Sequence, residues 1–361
     1  MRKRGNGVNY KSDYNKAVFL YAYGNGKPLK QNSEYQRYFE FECGITNPRK
    51  YHKDLIKEGY LQLSSDSDIL SGLKVSELKE ICDSLGLTKT GKKKDLIDKI
   101  ISSCSSEQIH SFVKESLYSL SEKGLSFMNN NSDYVELHKH KNWDVDLTEY
   151  VQSKQTFSSP CSFYDVIWNI FNKRIVEYKK QYNLLRNNYL HMSDLLLEEK
   201  KYDESLKYLL YVLFFDVCGV ELYEHLKYYD NIEEALNLYY FDAFKTIIPK
   251  RIYNLSEYFN ESFIDQIYAQ YKRLPLNLCP KETFKHLVLD IMENNATLDQ
   301  TYEIVFKSNY ENYINKKFNL QECTKPTTKT GSTTSSEKKS SGCLTSVFTF
   351  CLLLIIINLF I

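Results

Sequence analysis

Glycine and proline are scarce in this 361-residue chain, with 13 and 7 copies, whereas tyrosine and phenylalanine are abundant, with 30 and 20. So few chain breakers and so many large apolar side chains argue against a disordered protein and favour a helix-rich globular one. An excess of charge is also missing, since 47 basic residues face 46 acidic ones. Affinity for a polyanion must therefore come from a local patch and not from the field of the whole molecule.

Cysteine pairs and a signal peptide are lacking as well. The nine cysteines are scattered, odd in number and form no CxxC motif. Buried free thiols in a reducing cytosol explain this pattern better than disulfides do. The basic start MRKR is not followed by the apolar core of roughly 7–15 residues that a cleavable signal peptide requires.

Recognisable catalytic signatures are absent from the sequence. It contains no glycine-rich phosphate loop, no GxSxG and no HExxH motif. His138 and His140 form an HxH pair that could chelate a metal from a strand, but no third ligand follows at a suitable spacing. Lys139 and Lys141 also oppose a bound cation. We therefore expect a non-enzymatic protein without a metal or a cofactor.

One stretch stands out as suited to a polyanion. Residues 88–94, TKTGKKK, carry four lysines around one glycine. They separate two patterns of apolar residues at helical spacing, the first formed by Leu73, Val75, Leu78, Ile81, Cys82 and Leu85, the second by Leu96, Ile97, Ile100 and Ile101. The pattern predicts two short helices joined by an extended basic turn, a unit small enough to need support from its neighbours.

Residues 73–100, LKVSELKEICDSLGLTKTGKKKDLIDKI, resemble the SAP domain, a helix–extended–helix module. The resemblance extends over about 69–103 and rests on both apolar faces and the Gly-Lys turn. It implies DNA binding of low sequence specificity, with contacts at Lys89, Gly91, Lys92, Lys93 and Lys94. Lysines near the start of a helix also favour a phosphate, because the free N–H groups and the helix dipole attract anions. A solvated turn and a scaffold that docks protein are the alternatives.

The segments on either side of this module resemble the halves of a bacterial winged-helix domain. TNPRKYHKDLIKEG predicts a helix capped by Thr46 or Asn47 and stopped by Gly59, and a short strand at 60–63 follows it. The phrases LIKEGYL and YSLSEKG carry the resemblance. NPRKYHKDLIKEGYL and YVELHKHKNW are also similar to fragments of bacterial and phage SAP-containing proteins. Either a winged helix is split by the insert, or small helices pack around it.

The interpretation of a basic stripe on the predicted helix depends on which of these two folds the segments form. In a winged helix the stripe would add secondary phosphate contacts, and otherwise it is an ordinary solvated face. Its members are Arg49, Lys50, Lys53 and Lys57.

The second half of the chain, from Phe163 to about Leu320, reads as a run of amphipathic helices. Residues 183–213 resemble one tetratricopeptide-type (TPR-like) helix pair. Repeat arrays need about three units to bury a continuous core, and only one is recognisable. The sequence therefore predicts an irregular helical domain that binds an unidentified protein partner.

The C-terminal end changes character twice. Residues 324–342 are rich in Thr, Ser and Lys, which predicts a flexible linker. The uncharged segment 344–361 would span roughly 27 Å as a helix, slightly less than a ~30 Å hydrocarbon core. It predicts a single-pass tail anchor with the body facing the cytoplasm, because Lys338 and Lys339 precede it. A buried core helix and a lipid-anchor attachment signal are the alternatives.

Together these features predict a mainly α fold. A small, winged-helix-like α(+β) domain with an inserted SAP-like module comes first, then an irregular TPR-like helical domain, a linker and a C-terminal transmembrane helix. The predicted boundaries are 1–68, 69–103, 104–150 (completing the first domain), 151–322, 323–342 and 343–361. The predicted function is membrane-tethered, non-enzymatic DNA binding. The alternative is a membrane-anchored scaffold whose SAP-like and TPR-like helices bind protein.

Overall fold

The computed structural model describes residues 10–113, 115–240, 243–294 and 298–324. The N-terminal region of this part contains α1 (Tyr10–Tyr23), β1 (Lys27–Pro28), α2 (Tyr38–Phe41), α3 (Pro48–Lys57) and β2 (Leu61–Leu63). An insert of four helices follows: α4 (Asp66–Gly72), α5 (Val75–Ser84), α6 (Lys93–Ser103) and α7 (Ser106–Ser111). The region closes with β3 (Leu117–Leu120) and α8 (Glu122–Asn130).

The remaining described part of the chain consists of helices joined by loops. The helices are α9 (Ser132–Lys139), α10 (Leu147–Lys154), α11 (Phe163–Glu177), α12 (Tyr182–Glu198), α13 (Tyr202–Cys218), α14 (Val220–His225), α15 (Ile232–Asn237), α16 (Ile248–Asn254), α17 (Ser262–Gln270), α18 (Lys281–Met292) and α19 (Leu298–Thr324). The described residues up to Glu311 form one compact unit, and the described residues from Asn312 belong to a second.

A small antiparallel sheet joins segments that are far apart in sequence. Its strand order is β1-β3-β2, with Leu61 opposite Leu120 and Leu63 opposite Tyr118 in the β2–β3 pair. β1 lies on the other side of β3, where Lys27 is opposite Tyr118. The two segments that resemble winged-helix halves therefore lie together, although the four-helix insert separates them in the chain.

The ends of the insert meet at the sheet. The Ser64 backbone N–H donates to the Leu117 carbonyl over 2.9 Å, and the buried Ser64 and Ser119 hydroxyls share a hydrogen bond of 2.8 Å. Residues 65–116 thus form the connection of a β2–β3 hairpin. A connection this long costs little more closure entropy than a short one, provided that it folds by itself.

An aromatic cluster holds α1, α2 and α3 together. Phe19 is fully buried, with its ring centroid 5.1 Å from Tyr23, 4.9 Å from Phe39 and 5.5 Å from His52. His52 comes from the inner side of α3, and its Nδ1 is 3.0 Å from the Tyr35 hydroxyl. Rings of this size bury large apolar areas, and their mutual packing fixes the orientation of α3.

Helices α12 and α13 form an antiparallel hairpin in the second half. The buried Ser193 and Ser205 hydroxyls share a hydrogen bond of 2.9 Å near the turn, and Arg186 binds Asp216 at the open end with N–O distances of 2.8 and 2.9 Å. This is the segment that resembles a TPR-like pair, and its neighbours are shorter and irregular helices.

The fold class predicted from the sequence is wrong in its last part. Over the described residues, no helix is both long enough and apolar enough to cross a membrane. The longest helix, α19, has 27 residues, but charged side chains such as Glu303, Lys307 and Glu311 recur along it. Apart from its first two residues, the predicted linker (323–342) lies outside the described residues, as does the whole predicted transmembrane segment (343–361). The corrected fold class is mainly helical with a small three-stranded sheet.

Candidate nucleic-acid interface

The insert has a hydrophobic core of its own. Helices α5 and α6 face each other through side chains that are fully buried, and α4 and α7 cover their ends. The buried members of this core are Ile69, Leu70, Leu78, Cys82, Leu96, Ile97, Ile100 and Ile109. The sequence predicted α5 and α6 but not α4 and α7, which supply three of these eight buried residues, Ile69, Leu70 and Ile109.

The chain leaves α5 through a left-handed turn. Gly86 has φ +69°, and the Leu87 N–H donates to the Cys82 carbonyl over 2.7 Å, which closes the end of the helix. The chain then enters residues 88–94, called the basic loop from here on. The turn directs the loop toward the start of α6.

Lys99 fastens the basic loop to α6. Its ammonium group donates to the Thr88 hydroxyl and to the Thr90 carbonyl, each over 2.8 Å. The role of Lys99 was not recognisable in the sequence, because a lysine nearly two turns inside a helix gives no sign that it reaches back to the preceding loop. Lys99 therefore holds the loop in its conformation. Because its ammonium group already donates these two hydrogen bonds there, it is less available to a phosphate.

Gly91 and Asp95 shape the last turn of the basic loop. Gly91 has φ +124°, which L-residues rarely adopt, and a Cβ there would lie 2.9 Å from both Cβ and Oδ2 of Asp95. The Asp95 carboxylate accepts the Lys92 N–H over 2.8 Å. Asp95 thus stabilises the backbone of the turn, and its negative charge remains beside the lysines.

The four lysines of the loop have different surroundings. Lys89 forms an ion pair of 2.6 Å with Asp83, and Lys93 donates to the Ser71 carbonyl over 2.7 Å. Lys92 and Lys94 are exposed, and their ammonium groups contact no partner among the residues that the structure describes. Because exposed ion pairs contribute at most about 1 kcal/mol, Lys89 can also exchange its partner for a phosphate.

The start of α6 adds backbone donors to these charges. Its first i→i−4 bond runs from the Leu96 N–H to the Lys92 carbonyl, so the N–H groups of residues 93–95 have no acceptor within the helix. No side-chain cap takes their place. Three free N–H groups at the positive end of an eleven-residue helix, beside two free ammonium groups, form a surface that can bind a phosphate.

The basic stripe of α3 lies on the neighbouring part of the fold. Lys50, Lys53 and Lys57 are exposed. Arg49 is half-buried, and its Nη1 donates to the Lys30 carbonyl over 2.9 Å. Arg49 therefore positions the N-terminal end of α3, whereas the three lysines face solvent.

The HxH pair does not converge on a common point. Burial against Tyr38 lowers the pKa of His138, whose ring centroid is 4.9 Å from that of Tyr38. The His140 Nδ1 lies 2.8 Å from the Glu136 carbonyl oxygen, and its Nε2 lies 2.9 Å from a Glu198 carboxylate oxygen. Within the described residues, no group of three His, Cys, Asp or Glu side chains is arranged to hold a metal ion.

Comparison with protein families identifies the insert. Residues 69–103 match the model of the SAP domain, a module that generally binds DNA. The match starts in α4 and ends with α6, so it contains both amphipathic helices and the basic loop. No curated protein and no solved structure matches the chain. The resemblance of residues 69–103 to the SAP domain is confirmed. The predicted protein partner of the helical half and the predicted localisation stay predictions.

Proposed function

We propose that this SAP-containing chain is a non-enzymatic protein that binds duplex DNA through its phosphates with little dependence on sequence. The observation that carries the proposal is the pair of free ammonium groups, Lys92 and Lys94, beside the N–H groups of residues 93–95, which have no acceptor within the helix. Both donor types suit a phosphate oxygen, and they lie within three residues of each other. The general DNA-binding role of SAP domains supports the same conclusion.

The composition of the loop favours phosphate contacts over base recognition. Bidentate reading of adenine uses Asn or Gln, and the planar fork that matches the guanine edge best belongs to Arg, but residues 88–94 contain none of these. Lysine acts as a compact point charge that holds a phosphate without reading its neighbour. We therefore expect similar affinity for unrelated duplex sequences.

The number of available charges sets the expected strength. Lys92, Lys94 and an exchanged Lys89 can neutralise two or three phosphates, so the basic loop should contribute about −2 to −3 to the slope of log K against log salt concentration. The net charge of +1 adds no long-range attraction. Binding should be weak and should disappear as salt is raised.

The test uses two variants with equal loss of charge. Lys92→Gln/Lys94→Gln removes the free ammonium groups, and Lys179→Gln/Lys180→Gln removes two exposed lysines from the helical half. Fluorescence anisotropy with two unrelated 24-bp duplexes at low salt should show that the first variant binds both more weakly by a similar factor. Its salt slope should be shallower by about 2, while the second variant should match the wild type.

Two outcomes would overturn the proposal. One is that the wild-type protein has no affinity for either duplex at low salt. The other is that Lys92→Gln/Lys94→Gln binds as well as the wild type while its circular dichroism spectrum is unchanged. Either result would favour the scaffold hypothesis, in which the SAP-domain helices dock protein.

A further inference from the structure

We propose that the outward face of α3, formed by Lys50, Lys53 and Lys57, is a second phosphate-binding surface that contacts the same duplex as the basic loop. This inference rests on the proposed function and extends it to a bipartite contact. The first surface belongs to the SAP domain. The second belongs to the domain into which the SAP domain is inserted.

The lysines occupy the side of α3 opposite its buried side. At about 100° per residue, Lys50, Lys53 and Lys57 fall within an arc of about 60° on the helix. Pro48, His52 and Leu55 are buried on the reverse side. Three lysines in one row along a helix can contact successive phosphates of a DNA backbone more readily than scattered lysines can.

The three ammonium groups are available for a ligand. They contact no partner among the residues that the structure describes, although the half-buried Asp54 lies on the flank of the row. Nearby lysines of the same domain are used internally: the Lys123 ammonium donates to the Glu58 carbonyl over 2.7 Å, and that of Lys16 donates to the Tyr60 hydroxyl over 3.2 Å. Contacts within the domain therefore do not account for the presence of three lysines on this face of α3.

The helix holds this row in a fixed orientation. The Asn47 side chain caps α3 by accepting the Lys50 N–H over 2.9 Å, and the Arg49 N–H donates to the Asn32 side chain over 2.9 Å. At the other end, the Tyr60 N–H donates to the carbonyl of the buried Leu55 over 2.9 Å. A ligand on this face need not order the helix, which removes part of the entropic cost of binding.

Chain geometry limits the distance between the two surfaces. From Lys57 to Ser65 the chain can extend at most about 27 Å, and α4 adds about 9 Å to Ser71, on which the Lys93 ammonium rests. This path of at most about 36 Å from Lys57 to Ser71 is about one turn of B-DNA, 34–36 Å. A 24-bp duplex, about 80 Å long, exceeds it, whereas an 8-bp duplex, about 27 Å long, does not.

Two contacts on one duplex strengthen each other. Once the basic loop has bound, the α3 face meets phosphates at a high effective concentration, so a weak second contact adds measurably to the affinity. This gain requires a duplex long enough to reach both surfaces. The contribution of α3 should therefore be larger on a longer duplex.

The experiment measures anisotropy of the full-length protein with duplexes of 8 and 24 bp. Four proteins are compared: the wild type, Lys50→Gln/Lys53→Gln/Lys57→Gln, Lys92→Gln/Lys94→Gln, and a control with the exposed lysines 179, 180 and 272 changed to Gln. The α3 variant should bind the 24-bp duplex more weakly, with a salt slope shallower by about 2 to 3, and should match the wild type on 8 bp. The control should match the wild type on both duplexes.

The outcomes separate this inference from the proposed function. If the α3 variant binds the 24-bp duplex like the wild type while the loop variant is impaired, the bipartite contact is wrong and the SAP function stands. If the α3 variant is equally impaired on both lengths, the predicted dependence on duplex length is absent and the inference also fails. If the wild type binds neither duplex, both proposals fall. Circular dichroism of each variant shows that the fold is retained.

Discussion

Gly91 is the residue on which the shape of the basic loop depends most. Replacing it with alanine keeps every charge but places a Cβ 2.9 Å from Asp95 in a backbone conformation that costs about 1–3 kcal/mol for a non-glycine residue. We expect Gly91→Ala to loosen the turn, to lower the protection of α6 amides in hydrogen exchange, and to weaken DNA binding in the anisotropy assay.

A glycine in the same module provides the control for this substitution. Gly72 ends α4, has no positive φ, and a Cβ there would meet no atom within 4 Å. Gly72→Ala should therefore leave affinity unchanged and stabilise the module slightly, by up to about 1 kcal/mol. If Gly91→Ala has the same hydrogen exchange in α6 and the same DNA affinity as the wild type, the loop does not need this turn.

Single residues also show where sequence reasoning reaches its limit. The four lysines of the loop are equivalent in the sequence, but Lys89 pairs with Asp83 and Lys93 with the Ser71 carbonyl. Both partners lie on preceding helices, so the difference between bound and free ammonium groups appears only after α4 and α5 have packed. The glycine of the turn was recognisable because its requirement is local.

Among the elements, α3 was the most predictable. Its bounds, Pro48–Lys57, lie inside the predicted segment, because an Asn cap, an N-terminal proline and a glycine stop act within a few residues. Helices α4 and α7 were not predicted, since each is only six or seven residues long and is stabilised by packing on α6. The pairing of β2 with β3 was equally hidden, because strands of three and four residues carry little pattern.

The anchoring of α3 should depend on pH through His52. Burial lowers its pKa from 6.5 to about 4, and its Nε2 is buried without a hydrogen-bond partner. Between these values the unfolded chain binds a proton that the folded protein does not, so stability rises with pH across this range. The contribution of neutral His52 is present above pH 6.5 and decreases as the pH falls toward 4. It amounts to about 3 kcal/mol at roughly 1.36 kcal/mol per pKa unit.

This dependence can be measured by urea unfolding of the wild type and His52→Phe at pH 7 and pH 4.5. Phenylalanine fits the aromatic surroundings and cannot be protonated, so the variant should lose less stability between the two pH values. Burial also lowers the pKa of His138 and His191, but both are present in both proteins and cancel in the comparison. Equal losses in the two proteins would rule out His52 as the titrating anchor.

For the molecule as a whole, the central feature is an independent core inserted into a β-hairpin. The core of the parent domain gathers residues from α1, α2, α3 and the sheet, and the core of the insert gathers residues from α4 to α7. The boundary is sharp: Leu117 packs against the insert, and Tyr118 packs against the parent core. Each part therefore buries its own apolar surface, as a separate folding unit must.

Removal of the insert tests this organisation directly. Because the Ser64 N–H already donates to the Leu117 carbonyl, an Asn-Gly turn can join the two strands in place of residues 65–116. The resulting protein should keep a cooperative unfolding transition and its aromatic near-ultraviolet signal, and should lose most of its DNA affinity. Its residual affinity should disappear when Lys50, Lys53 and Lys57 are also changed to Gln.

A larger deletion shows what is expected when the parent domain cannot fold. Removing residues 61–120 takes out β2 and β3 together with the insert, so the parent core loses Leu61 and its packing with Tyr118 and Leu120. That protein should lose the near-ultraviolet signal of the aromatic cluster. If the shorter deletion behaves like the longer one, the SAP domain is required for the fold of its host. The β2–β3 hairpin would then form only when the insert is present.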